Sequence, residues 1–234
     1  ASAIALEWDL LVSAQQALRH HLIPLTSLVS RALDIADEDE AGSSEIRTSI
    51  VNTVMRYLDT DSLLCWAPEA DPDPPGYEVH VARTESLRSI QMRTAQPIIS
   101  FLTTKVWPGV EIVPVLDEGS IMPRAQPQMT KDVIRGWVHG LPAFELAGLE
   151  RGVLAGKGLL GAVRLLVEWS AELGHLRDGE ERSFGVEEAA RAASLEVAWQ
   201  TGMWGEVEDT HDVEKEDVKR QLGSVILLVS GEQQ

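Results

Sequence analysis

The chain is expected to be mainly α, a helical domain with one short two-stranded β element. Three observations carry this. Apolar residues recur every three or four positions along most of its length, the connections between such segments are short, and only two short apolar runs have the look of strands. One mostly helical domain over residues 1–234 is expected, with 1–125 and 126–234 as the alternative division.

The elements follow in order. Ile4, Trp8, Leu11, Leu18 and Leu22 lie at roughly helical spacing and lead to Pro24. A second helix, Leu25 to Ala36, places Leu28, Val29 and Leu33 on one side, and Asp37 to Gly42 reads as an exposed acidic loop. Ser43 or Ser44 can cap the next helix, whose inward residues are Ile46, Ile50, Val54, Tyr57 and Leu58. Asp59-Thr60-Asp61 should end it. The run Ser62 to Trp66 can then pair with Glu111 to Val115 as the two-stranded element. Between them, Pro68, Pro72, Pro74 and Pro75 mark a loop that can hold neither helix nor central strand.

From Thr84 or Glu85 a helix turns Leu87, Ile90, Ile98, Phe101 and Leu102 inward, with Pro97 expected to kink or split it. Beyond Pro127 the chain is helical throughout. One helix covers Gln128 to Val138, and another from Pro142 carries Gly148, Gly152 and Gly156 on one face. Glycine costs a helix about 1 kcal/mol relative to alanine, so that face predicts the close approach of a neighbouring helix. Gly158 breaks the chain before Leu159 to Leu173, and Gly174 to Gly185 is a polar loop. Val186, Ala189, Ala190, Ala193 and Val197 form one stripe, with Glu187, Glu188 and Arg191 outside it. The last helix buries Val218, Leu222, Val225, Ile226 and Val229.

Composition narrows the function. With 20 Lys+Arg against 37 Asp+Glu the chain carries −17, which disfavours phosphate backbones and suits a basic protein partner; no nucleic-acid binding is expected. Cys65 is the sole cysteine, so no intramolecular disulfide can form. No run approaches the roughly 20 apolar residues of a membrane span, so no membrane insertion is expected. The sequence opens at Ala1 directly in a helical pattern, the expectation for a processed or truncated product. Seven tryptophans outnumber three phenylalanines and two tyrosines; most suit the core, while Trp107 and Trp204 weigh evenly between core and interface.

The segment Trp204-Gly205-Glu206-Val207-Glu208-Asp209-Thr210-His211-Asp212 concentrates acid, imidazole and indole. Paired carboxylates there could do acid–base work, but only in a pocket that shifts their pKa values. The six histidines lack metal-ligand spacing, and no nucleophile elbow is present. Gly152 to Gly158 resembles a phosphate loop, but its first two glycines stand one residue too close and Gly158 occupies the Ser/Thr position. No catalytic residue, metal or cofactor is therefore expected.

Ordered motifs point elsewhere. Glu7-Trp8-Asp9 is followed by Pro24-Leu25-Thr26, Ala32-Leu33-Asp34 and Tyr57-Leu58-Asp59-Thr60-Asp61. Then come Pro97-Ile98-Ile99, Gly109-Val110-Glu111-Ile112, Ser194-Leu195-Glu196 and Trp204-Gly205-x-x-Glu208-x-x-His211-Asp212. In these the chain resembles, over nearly its whole length, the mitochondrial ATP synthase assembly chaperone family that acts on the alpha subunit of the soluble catalytic head. Ala95, Phe101 and Ser194 depart from residues common in that family.

The resemblance implies a matrix protein without catalytic activity, a monomer that holds the free alpha subunit and shields its interface until the beta subunit docks. It also implies that the family's β-rich N-terminal portion is missing and that this is the helical C-terminal portion. Candidate partner-binding residues are Glu196, Trp204, Glu206, Glu208, Asp209, His211 and Asp212, with Glu208 and His211 alternatively holding the turn between the last two helices. The competing expectations are a metal-assisted hydrolase built on His211-Asp212 and a generic helical adaptor.

Overall fold

The computed structural model describes residues 2–14, 24–68, 85–116, 123–177, 179, 183–204 and 211–231; for 10–14, 202–204 and 211–214 it describes the backbone only. Among the described residues the helices are α1 (Ser2–Ala14), α2 (Pro24–Glu40), α3 (Glu45–Arg56), α4 (Leu87–Phe101) and α5 (Gln128–His139). They continue with α6 (Ala143–Gly156), α7 (Leu159–Trp169), α8 (Val186–Ala193), α9 (Leu195–Trp204) and α10 (His211–Val229). The mainly helical fold is thus as expected. The predicted two-stranded element contracts to one parallel bridge, Cys65 with Leu116, beside a bond from Val115 N to Leu64 O of 2.8 Å.

α6 is the hub, packed against α2, α3, α7, α8 and α10. Its glycine face does what the spacing predicts. A Cβ at Gly148 would lie 3.1 Å from Val229 and 3.3 Å from Val225 of α10, and one at Gly152 would lie 3.3 Å from Ala162 of α7. At Gly156 the facing atom is Ala193 Cβ of α8, 3.7 Å away. Bare backbone here lets three helices approach one axis, and the lost helix propensity is offset by the packing gained. The phosphate-loop lookalike is therefore the end of a packed helix.

α7 is buried nearly all round, and its charged residues are paired. Arg164 donates to Glu168 at 2.5 Å, and its guanidinium stacks 3.9 Å from the Phe101 ring centroid and 5.1 Å from Phe184. Glu168 also accepts from the backbone N–H groups of Ser183 and Phe184. Burial opposes its charge, but Arg164 and those two N–H donors prevail and hold the carboxyl below the usual range.

Elsewhere carboxylates from remote positions cap helices. Glu7 of α1 accepts from Leu25 N at 3.0 Å and from Thr26 N at 2.7 Å, fixing α1 to the start of α2. The expected serine cap of α3 is not formed by Ser43 or Ser44. Glu38 accepts from Ile46 N at 2.6 Å and from Ser43 Oγ at 3.0 Å instead. α2 runs on to Glu40, so the predicted acidic loop shortens to residues 41–44. Buried Arg47 bonds Asp39 and the carbonyls of His139 and Leu141, joining α3 to the α5–α6 turn.

Other expectations need correction. Leu33 is 49% exposed, because α2 buries Leu25, Leu28, Ala32 and Ile35 instead, and Trp8 on α1 is 55% exposed. α4 passes through Pro97 unbroken and continues into a wider turn over Leu102–Val106. The stripe from Val186 to Val197 is divided at Ser194 between α8 and α9, which leaves Val197 45% exposed. The Pro-rich loop falls outside the described residues from residue 69 onward, as does the chain between α1 and α2.

The glycine face makes a direct test. Gly148→Leu should cost about 1–3 kcal/mol in urea denaturation through overpacking against α10. Gly136→Ala, on the exposed face of α5 with nothing within 4 Å, should gain about 0.5–1 kcal/mol.

Candidate functional site

Of the seven residues singled out by sequence, only Glu196 has a described side chain. Trp204 supplies the last backbone turn of α9, and His211 and Asp212 open α10. Glu206, Glu208 and Asp209 lie outside the described residues.

Glu196 sits in the first turn of α9, where a carboxylate favours the positive end of the helix dipole. It is exposed, and its carboxylate accepts from Gln200 Nε2 at 3.1 Å, one turn further along. Among the described residues no cation lies within ion-pair distance of it. α9 packs against α4 and forms one wall of a groove of about 460 Å³. The end of α6, the C-terminal half of α8 and the start of α10 complete the groove, and Leu63 and Gln91 reach it from the other side. Its surface is largely apolar and built from small residues, among them Ala155, Ala193 and Ala198, with Lys157 and Lys215 as the basic groups.

Asp61, which the sequence marks only as a helix terminator and part of a motif, immediately precedes Ser62 and Leu63, which line the groove. Asp61 is fully buried. Its Oδ2 accepts from Leu159 N at 2.6 Å and Leu160 N at 2.8 Å, and its Oδ1 from Leu63 N at 3.0 Å. A side chain 98 residues upstream thus caps α7. The chain between α6 and α7 is shaped to admit it: Lys157 adopts φ +51°, and a Cβ at Gly158 would come within 3.0 Å of Asp61 Oδ1. Burial pushes the Asp61 carboxyl up to about 6, although the three N–H donors favour its charged form. Nearby, Gln91 accepts from Ala67 N and donates to the Cys65 carbonyl, holding α4 to the segment after α3. Burial, then the negative charges of Asp61 and Glu196, push the Cys65 thiol up, so it is no activated nucleophile.

Among the described residues no helix is long and apolar enough to cross a membrane, and no three His, Cys, Asp or Glu gather as a metal site. An apolar groove with an exposed acid on its wall can bind a partner.

Comparison with known proteins decides the family. Residues 1–103 match the ATP12 chaperone protein family. The mitochondrial protein atp12 of Schizosaccharomyces pombe is 32% identical over 228 residues, covering 97% of this chain and 67% of that protein. The chain belongs to the ATP12 chaperone family. The mitochondrial ATP12 of Saccharomyces cerevisiae is 30% identical over 236 residues, covering 94% of this chain and 67% of its own length. The fold is shared with Atp12 from Paracoccus denitrificans, at TM-score 0.62 and 20% identity, over 97% of this chain and 79% of that one. A putative chaperone from Agrobacterium tumefaciens aligns at TM-score 0.60 and 22% identity, over 97% and 71%. ATP12 membership makes this an assembly chaperone of the ATP synthase catalytic head and not an enzyme, as the resemblance implied, and it removes the metal-hydrolase and generic-adaptor alternatives.

Asp61 gives a pH test. Its folded pKa, about 6, lies above the ordinary aspartate value of 3.8, so its contribution is fully present below the lower value and is lost as pH rises through the higher one. Wild type should therefore lose stability relative to Asp61→Asn as pH rises from 4 to 7. Chemical denaturation of both proteins across that range checks it; a constant difference would contradict the assignment.

Proposed function

We propose that this chain binds the free alpha subunit through the α9–α10 end of the molecule and shields that subunit's interface until the beta subunit docks. The observation that carries this is Glu196, an acid without a cationic partner among the described residues, on the wall of an apolar groove in a chaperone of this family. Glu206, Glu208, Asp209 and Asp212 would extend the acidic surface. Trp204 would serve as its apolar anchor, and His211 would orient the junction. Nucleotide-binding subunit interfaces carry arginine and lysine for phosphate contacts, and a chain at −17 is drawn to such a surface and selects for it. The Schizosaccharomyces pombe and Saccharomyces cerevisiae relatives are mitochondrial. The proposed compartment is the matrix, where the catalytic head is assembled, and the proposed working form is a monomer of one helical domain.

Pull-down with isolated alpha and beta subunits at two salt concentrations tests the reading. Alpha alone should be captured, and more weakly at high salt. Glu196→Lys and Glu208→Lys should each weaken capture about tenfold, roughly 1.4 kcal/mol, with unchanged melting curves. Undiminished capture by both, and by Glu206→Lys, would remove this surface from the function.

A further inference from the structure

The groove is more specific than an acidic patch requires. Resting on the client reading above, we infer that it receives a segment of the alpha subunit in which an apolar side chain lies beside a lysine or arginine. The volume, about 460 Å³, falls within the range of preformed binding clefts, which hold about 300–1,000 Å³. Small side chains line it, so an incoming chain can approach the helix backbones of α6, α8 and α9 closely. Val197, 45% exposed, adds apolar surface on the α9 wall directly beside Glu196. An apolar surface and an acid without a cationic partner among the described residues, adjacent on one helix turn, match a greasy side chain with a basic neighbour.

Charge selects among occupants. A second copy of this chain also carries −17 and is repelled. Lys157 at the end of α6 and Lys215 on α10 also line the groove, and their charges direct the incoming cation to the Glu196 wall.

The test places a benzophenone amino acid at Ala198, an exposed position lining the groove, and irradiates the chaperone with purified alpha subunit. Mass spectrometry is expected to find the crosslink on an alpha-subunit peptide with an apolar residue next to Lys or Arg. Ala198→Trp, which fills the groove, should weaken alpha capture tenfold or more, and Val197→Ser should weaken it less. Both should keep the wild-type melting curve, since both positions are exposed. Crosslinks confined to this chain, or joining two copies, would overturn the inference. So would capture of alpha by Ala198→Trp at wild-type strength, which leaves the client reading intact. If folded wild-type protein captures no alpha subunit, the client reading fails and the inference falls with it.

Discussion

Everything else in the molecule depends on how closely helices approach α6. An ordinary helix axis is kept from its neighbours by side chains, but here Gly148 and Gly152 let α10 and α7 come within Cβ contact of its backbone. That approach orients α7, whose inward face fills the core. It also ends α6 where Gly156 meets α8 and Lys157 turns the chain through a left-handed residue. The end of α6 is in turn part of the groove. A packing constraint in the centre is thus converted into the shape of a groove at the edge, the surface proposed to bind the client.

The helices were legible because their signal is periodic, and periodicity survives without knowledge of neighbours. The glycine face was legible for a different reason: three residues unfavourable to helix at one spacing demand a compensating contact. Remote caps were not legible. Glu38 in place of Ser44, and Asp61 for the start of α7, are polar contacts between segments that only the folded chain brings together. The break at Ser194 also escaped the pattern, since alanines suit two short helices as well as one long helix. Of the proposed site, Glu196 was found through its motif, whereas the groove beside it was not. A cavity belongs to the spaces between elements, and alanines in sequence carry no mark of the space they leave.

Acidic residues play two physically distinct parts in this chain. Glu7, Glu38, Asp61 and Glu168 are consumed by the fold, each accepting from backbone N–H groups that would otherwise go unpaired. Glu196 is not consumed in this way and bonds only Gln200 among the described residues. Net charge alone therefore overstates what is available to a partner. The proposed function rests on the carboxylates left over after the helices have taken theirs.

Trp107 is 1% exposed, its indole N–H has no hydrogen-bond partner among the described residues, and its ring meets Trp137 edge to face at 5.6 Å and 87°. In that arrangement an N–H edge can rest on a π face. An indole without a polar partner relaxes little after excitation and emits toward the blue, whereas Trp8 on the surface emits toward the red. Trp199 on α9 stands half-buried between these extremes. The chain consequently carries its own optical gauges: one for the integrity of the core, one for the solvent, and one on the helix proposed to meet the client.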